Sequence, residues 1–180
     1  AELTAWVEAV REEGDVLTEV DLVRRVATLS HDGMCAVHLP TGPWLRAPRP
    51  AGEVFATAVG TCWEQALVAM AALRAAGLEP ELGLFARGEL PADGPLDPAR
   101  FDRLRVVVRV GDENWWLGPD RADAWTGKCD LAGAQGVFLA AGGSRTYRVA
   151  DRPRTGRWVV HAAPADDGWS AAADLEMDGL

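Results

Sequence analysis

The hydrophobic pattern changes period once along this chain, near Gly77, and that change constrains the fold more than any other feature. Before it, apolar residues recur at three- and four-residue spacing, the signature of helices with one buried face; after it they alternate, the signature of half-buried strands. Helices followed by hairpin-forming strands predict an α+β domain with helices packed on an antiparallel sheet.

In the helical half, "ELTAWVEAVREE" and "TEVDLVRRVATLS" read as two helices separated by Gly14 and Asp15. Thr18 and Asp21 open the second as a weaker form of the capping box, and Leu22, Val23, Val26 and Leu29 give it a core-facing stripe. "LPTGPWLRAPRP" holds four prolines and a glycine and predicts an ordered, turn-rich connection. It leads through "AGEVFATAVG", a short helical turn or two, to "GTCWEQALVAMAALRAAGLEP". That segment predicts a helix starting within a residue or two of Cys62, with Ala66, Ala69, Met70 and Leu73 on one face and Gly77 just past its end.

Beyond Gly77, "ELGLFA" alternates through Leu82 and Leu84, and "LRVVVRV" puts Leu104, Val106, Val108 and Val110 on one face. "NWWLG" follows across a Gly111–Asp112 turn, a hairpin signal. "GVFLA", "RTYRV" and "RWVVHA" supply further short strands, and "RGELPADGPLDPAR" is a polar, proline-rich loop. The acidic, small-residue tail from Pro164 has little with which to form a core. The predicted division is a domain over 1–163 and, over 164–180, a linker or the start of a following β-rich domain.

With 180 residues and 48% hydrophobic composition the chain has the material for one real core. A formal charge of −9 argues against nucleic acid and anionic membrane surfaces, which demand a cationic footprint. No stretch approaches the roughly 18 apolar residues that would span a bilayer. Ala1 runs straight into a helical pattern without a basic leader, so the chain reads as soluble, with its compartment open.

Cys35, Cys62 and Cys129 are odd in number and far apart, which is no disulfide framework. His31, Cys35 and His38 in "HDGMCAVH" would share a face as metal ligands only if the segment were helical, and Gly33 and Pro40 oppose that. Cys62 is the stronger candidate. A cysteine at a helix N-terminus feels the positive end of the helix dipole, which favours the thiolate, and the same amides can hold an oxyanion. Acyl transfer also requires a base, normally histidine, and a group to orient it.

"GTCWEQALVAMAALRAAGLEPELGLFA" resembles the cysteine-helix segment of the transglutaminase-like superfamily, which shares a papain-like core. "FDRLRVVVRVGDENWWLGPD" resembles that family's next two strands, and "RPAGEVFATAVG" the Arg-Pro approach to the cysteine in large bacterial members that set this core between two β-rich domains. The resemblance covers roughly 15–140 and implies a transglutaminase-like, papain-like α+β domain.

Carried over by position, the resemblance keeps the nucleophile, Cys62, and loses its helpers. Phe101 and Asp102 match the context of the family's histidine, whose place holds Arg103; Trp116, Leu117 and Pro119 match the context of its aspartate, whose place holds Gly118. An arginine, protonated at any working pH, is no general base, and a glycine orients nothing. Asp120, two residues on, is placed to pair with Arg103; Trp63, Asp102, Trp116 and Asp120 are the expected cleft-lining residues, with core packing the alternative for Trp63, Trp115 and Trp116.

With these replacements, the resemblance implies a domain with a degenerate triad that serves as a non-catalytic binding or scaffold module of a larger bacterial protein. No cofactor or metal is expected. Its partners would be a protein or peptide, or flanking domains of the same chain. The rivals are a thiol-dependent acyl transferase or peptidase, in which Cys62 finds a non-standard base such as His161 or His38, and a metal-binding module on His31, Cys35 and His38.

Overall fold

The computed structural model describes residues 2–12, 18–37, 47–86, 101–119, 124–125, 131, 133–140, 143–148, 156–165 and 168–177. The chain divides into two units, 1–150 and 151–180. In chain order, the first holds helices α1 (Glu2–Glu12) and α2 (Glu19–His31), strand β1 (Cys35–Ala36), helix α3 (Ala51–Thr57), strand β2 (Val59–Gly60), helix α4 (Cys62–Ala75) and strands β3 (Glu81–Ala86), β4 (Arg103–Val110), β5 (Glu113–Leu117), β6 (Ala124–Trp125), β7 (Gln135–Ala140) and β8 (Gly143–Arg148). The second holds β9 (Gly156–Ala165) and β10 (Gly168–Met177).

The α+β order expected from the change of period is the observed one. Strands β3 to β8 form one six-stranded sheet in the order β6-β5-β4-β3-β7-β8, every pair antiparallel. Helix α4 is the hub of the helical layer, packing on α1, α2 and α3 and on strands β4 and β3. Its Ala66, Ala69, Met70 and Leu73 join Val23 and Val26 of α2 and the sheet row of Leu82, Leu84, Leu104, Val106, Val108 and Leu117 in a single core. Small residues on α4 let it lie close to the sheet.

The ends of the elements follow from local chemistry. Thr18 caps α2 in a complete capping box with Asp21, whose carboxyl the Thr18 hydrogen bonds hold below its usual range. At the far end of α4, Gly77 takes φ +80°, Leu78 N donates to Leu73 O and Gly77 N to Arg74 O, which satisfies the last carbonyls of the helix. Gly111, at φ +59°, turns the chain between β4 and β5, where Val110 pairs with Glu113.

The opposite sheet face is buried as well. Phe85, Val107, Trp116 and Phe138 pack there with Leu131 and Ala134, and the rings of Phe85, Trp116 and Phe138 meet at centroid distances of 5.7 to 6.4 Å. A sheet covered on both faces explains why "RVVVRV" is apolar in consecutive positions and not only in alternate ones.

In the second unit β9 and β10 pair antiparallel from Gly168↔Ala165 to Met177↔Gly156. The expected division between 163 and 164 falls inside β9. The proline-rich loop over 87–100 and most of the 39–50 connection lie outside the described residues.

Candidate functional site

The cysteine helix starts at a tightly bonded corner. Chain leaving β2 reaches Thr61, in extended conformation at φ −69° and ψ 163°, and enters α4 at Cys62. Thr61 Oγ1 accepts from Glu64 N at 3.2 Å, and Glu64 Oε2 accepts from Thr61 N at 2.9 Å, a reciprocal capping box. Glu64 is also gripped from outside the helix: Oε1 accepts from Arg49 N at 3.1 Å and Arg49 Nε at 2.9 Å, and Oε2 accepts from Arg49 Nη2 at 3.2 Å. Arg49 Nη2 donates in addition to Val59 O, so one guanidinium ties β2 to the first turn of α4.

Four donors thus converge on a carboxylate that is only 8% exposed. The Arg49 hydrogen bonds, ahead of those from Thr61 N and Arg49 N, hold the Glu64 carboxyl down at about 2 despite burial, which pushes the other way. The same hydrogen bonding raises Arg49 above its ordinary value. Gly60 belongs to the corner too, since a Cβ there would stand 2.8 Å from Val54 Cγ1 and 3.2 Å from Glu64 Cβ.

Cys62 is therefore the first residue of α4, exposed, and not in a disulfide. It stands at the positive end of a 14-residue helix, where the dipole and the first-turn amides favour an anion. Cys35 is exposed nearby in the chain topology: β1 and β2 pair in parallel with Cys35 opposite Val59 and Ala36 opposite Gly60. Gln65, 1% exposed, donates through Nε2 to Met34 O at 3.4 Å and links α4 to the residue before β1.

The other expected site residues fall as follows. Arg103 opens β4, half-buried, paired with Phe85 and one step before Leu104, the first residue of the row beneath the helices. Asp102 is exposed and its N donates to Phe85 O at 3.1 Å. Gly118 is buried and directly follows β5. Trp63 is half-buried against the main core, whereas Trp116 is 1% exposed inside the second cluster. Trp116 thus takes the core-packing alternative and does not line an open groove; its position on the buried outer face of β5 is the reason.

Asp120 and His38 lie outside the described residues, and His161 belongs to β9 in the second unit. His31 ends α2 with Nδ1 2.6 Å from Asp32 Oδ1. Because α2 stops at His31 and Cys35 is in a strand, the helical spacing that a His31–Cys35 ligand pair requires is not present. Among the described residues no group of three His, Cys, Asp or Glu side chains is arranged to hold a metal ion.

One cleft is lined by Glu19, Glu79, Glu81, Arg109 and Asn114, beside Gly77 and Leu78. It lies past the C-terminal end of α4, about 20 Å along the helix from Cys62. Its lining holds three carboxylates and an arginine but no cysteine or histidine.

The corner's bonding is not among the expectations drawn from the sequence. Its signal, Thr-x-x-Glu over Thr61 to Glu64, was present. The Arg-Pro approach marks Arg49, but no local pattern indicates its partner, fifteen residues away.

No family model matches the chain, and no curated protein matches it. Among solved structures the fold is similar to the crystal structure of a "putative protease" from Parabacteroides distasonis ATCC 8503, with a TM-score of 0.67 and 18% sequence identity. The likeness is one of fold. It covers 91% of this chain and 33% of the other, so the chain spans about a third of that protein's length.

Proposed function

We propose that this chain is a transglutaminase-like domain of papain-like architecture that keeps the cysteine of the triad without its acid–base partners, and works as a non-catalytic binding or scaffold module of a larger protein. The reading is carried by one observation: an exposed Cys62 stands on the first turn of the central helix while the matching strand opens with Arg103 and the next is followed directly by Gly118. A thiol so placed can meet an electrophile, but nothing at positions 103 and 118 can take or return a proton at neutral pH. The similar fold in a longer protein supports a module within a larger chain. The domain assignment, 1–163 with a linker or the start of a β-rich domain after it, belongs to the same proposal.

One observation favours the rival. The similar structure is named a "putative protease", which suits a Cys62 nucleophile that borrows a base from His161, His38 or a neighbouring domain. An experimental structure of the intact parent protein separates the two. The module reading expects no imidazole nitrogen within about 4 Å of Cys62 Sγ. A histidine at hydrogen-bond distance overturns it.

A further inference from the structure

The strands that carry positions 103 and 118 also fix which way those positions face. Helix α4 packs on β4 and β3 from one side, and the core on that side includes Leu104, Val106 and Val108 of β4 and Leu117 of β5. Side chains alternate along a strand, so the residue before Leu104 and the residue after Leu117 belong to the other side. Those residues are Arg103 and Gly118. The ladder agrees: Arg103 is level with Phe85, a member of the outer cluster with Val107 and Trp116, and cross-strand partners share a face.

A slip in the ladder extends the effect. The register that sets Phe85 opposite Arg103 and Leu84 opposite Leu104 would bring Asp102 level with Ala86, yet Asp102 N donates to Phe85 O. Two residues thus oppose one, as in a β-bulge. Burial shows the same extra residue: Phe101 and Leu104 both lie in the helix-side core, where strict alternation would put residues at this spacing on opposite sides. Phe101 takes the helix-side place at this end of β4, and Asp102 falls with Arg103 on the outer side.

We infer that positions 103 and 118 face away from the side of the sheet on which the Cys62 helix lies, so that a histidine and an aspartate restored there would not return a base to Cys62. The loss of acid–base help is then held in the register of the sheet as well as in the residue types. This rests on the reading of Cys62, 103 and 118 as the triad places, but the two fail separately. An Arg103 found facing Cys62 would overturn the inference and leave the non-catalytic reading standing, because arginine is no base. Turnover by the wild type would overturn that reading and leave the inference standing, its base having come from elsewhere.

The test is an NMR titration of Arg103→His in the full chain, with Cys62 present and with Cys62→Ala added. An imidazole and a thiol that face each other within about 6 Å titrate as a coupled pair, displaced by roughly one pH unit or more. On the inferred geometry the imidazole midpoint is the same with and without the thiol, to within about 0.5 unit. Its titration should move the methyl signals of Leu131 and Ala134, in the outer cluster, and leave those of Ala66 and Ala69, on α4, in place. A midpoint displaced further by removing the thiol, or an Ala66 methyl that follows the titration, overturns the inference. So does Cys62-dependent turnover of a peptide by the double variant Arg103→His with Gly118→Asp, which should stay at the level of the same protein carrying Cys62→Ala. Should Arg103→His fail to fold, the wild type decides it through nuclear Overhauser contacts of the Arg103 δ-protons: contacts to Phe85 support the inference, and contacts to the Cys62 β-protons overturn it.

Discussion

Replacing Glu64 with glutamine removes one charge and changes little volume, so its cost reads the corner almost directly. The amide has one acceptor oxygen where the carboxylate has two, and its NH2 must face either the Arg49 N and Nε pair or the Arg49 Nη2 and Thr61 N pair, donors against donors. The fall of the carboxyl from 4.5 to about 2 corresponds to at most roughly 3.5 kcal/mol, at about 1.4 kcal/mol for each tenfold. The Arg49 side chain is 41% exposed, so solvent screening reduces this to about 2 kcal/mol. For a chain of this size that is roughly 4–8 °C in Tm. The pH dependence has a definite sign. The folded carboxyl titrates below the unfolded one, so its contribution is complete above about pH 5 and is lost as pH falls from there toward about 2. Urea unfolding of wild type and Glu64→Gln at pH 7 and at pH 3 checks both points. The gap should be about 2 kcal/mol at pH 7 and narrower at pH 3. A gap under about 0.5 kcal/mol at pH 7, or one that widens in acid, would refute the reasoning.

Two further substitutions test other joints of the fold. Thr61→Ala removes the acceptor for Glu64 N and should cost about 1 kcal/mol in thermal or urea unfolding. Gly136→Ala drives a methyl into the ring carbons of Phe85 and to within 2.8 Å of Leu84 O, inside the β3–β7 ladder; overpacking of this kind costs about 1–3 kcal/mol, and the loss should appear with a changed near-UV signal from Trp116, which packs on the same ring.

The parts of this fold that were legible in the sequence are those whose instructions are local. Helix α4 carries its cap at Thr61, its apolar face at three- and four-residue spacing and its stop at Gly77 within one stretch, and its start falls at Cys62 as expected. The β4–β5 hairpin is likewise written into Gly111 and the alternation on either side. The second core was not legible. Nothing local in the sequence signals a role for Gly83 and Gly136, and only the folded sheet shows that the missing side chains make room for the Phe85 ring. The β1–β2 ladder spans two residues on each side, too short for any periodicity to reveal. At the site, the cysteine and its place on the helix were readable, whereas the Arg49–Glu64 pair joins positions that no local pattern connects. Trp116 shows a related limit: sequence context placed it beside the cleft, but the side of the sheet on which a residue is buried depends on what covers that face.

The central claim, a retained cysteine without acid–base help, is tested most directly by comparing wild type with Cys62→Ala on peptide and glutamine-donor substrates at neutral pH. Loss of general acid–base help alone lowers a rate by roughly 10²–10⁴, and an arginine and a glycine at positions 103 and 118 supply none. The account predicts the same background turnover from both proteins, even though iodoacetamide still labels Cys62 in the wild type. A reproducible turnover present in wild type and absent in Cys62→Ala would contradict it and make the site catalytic.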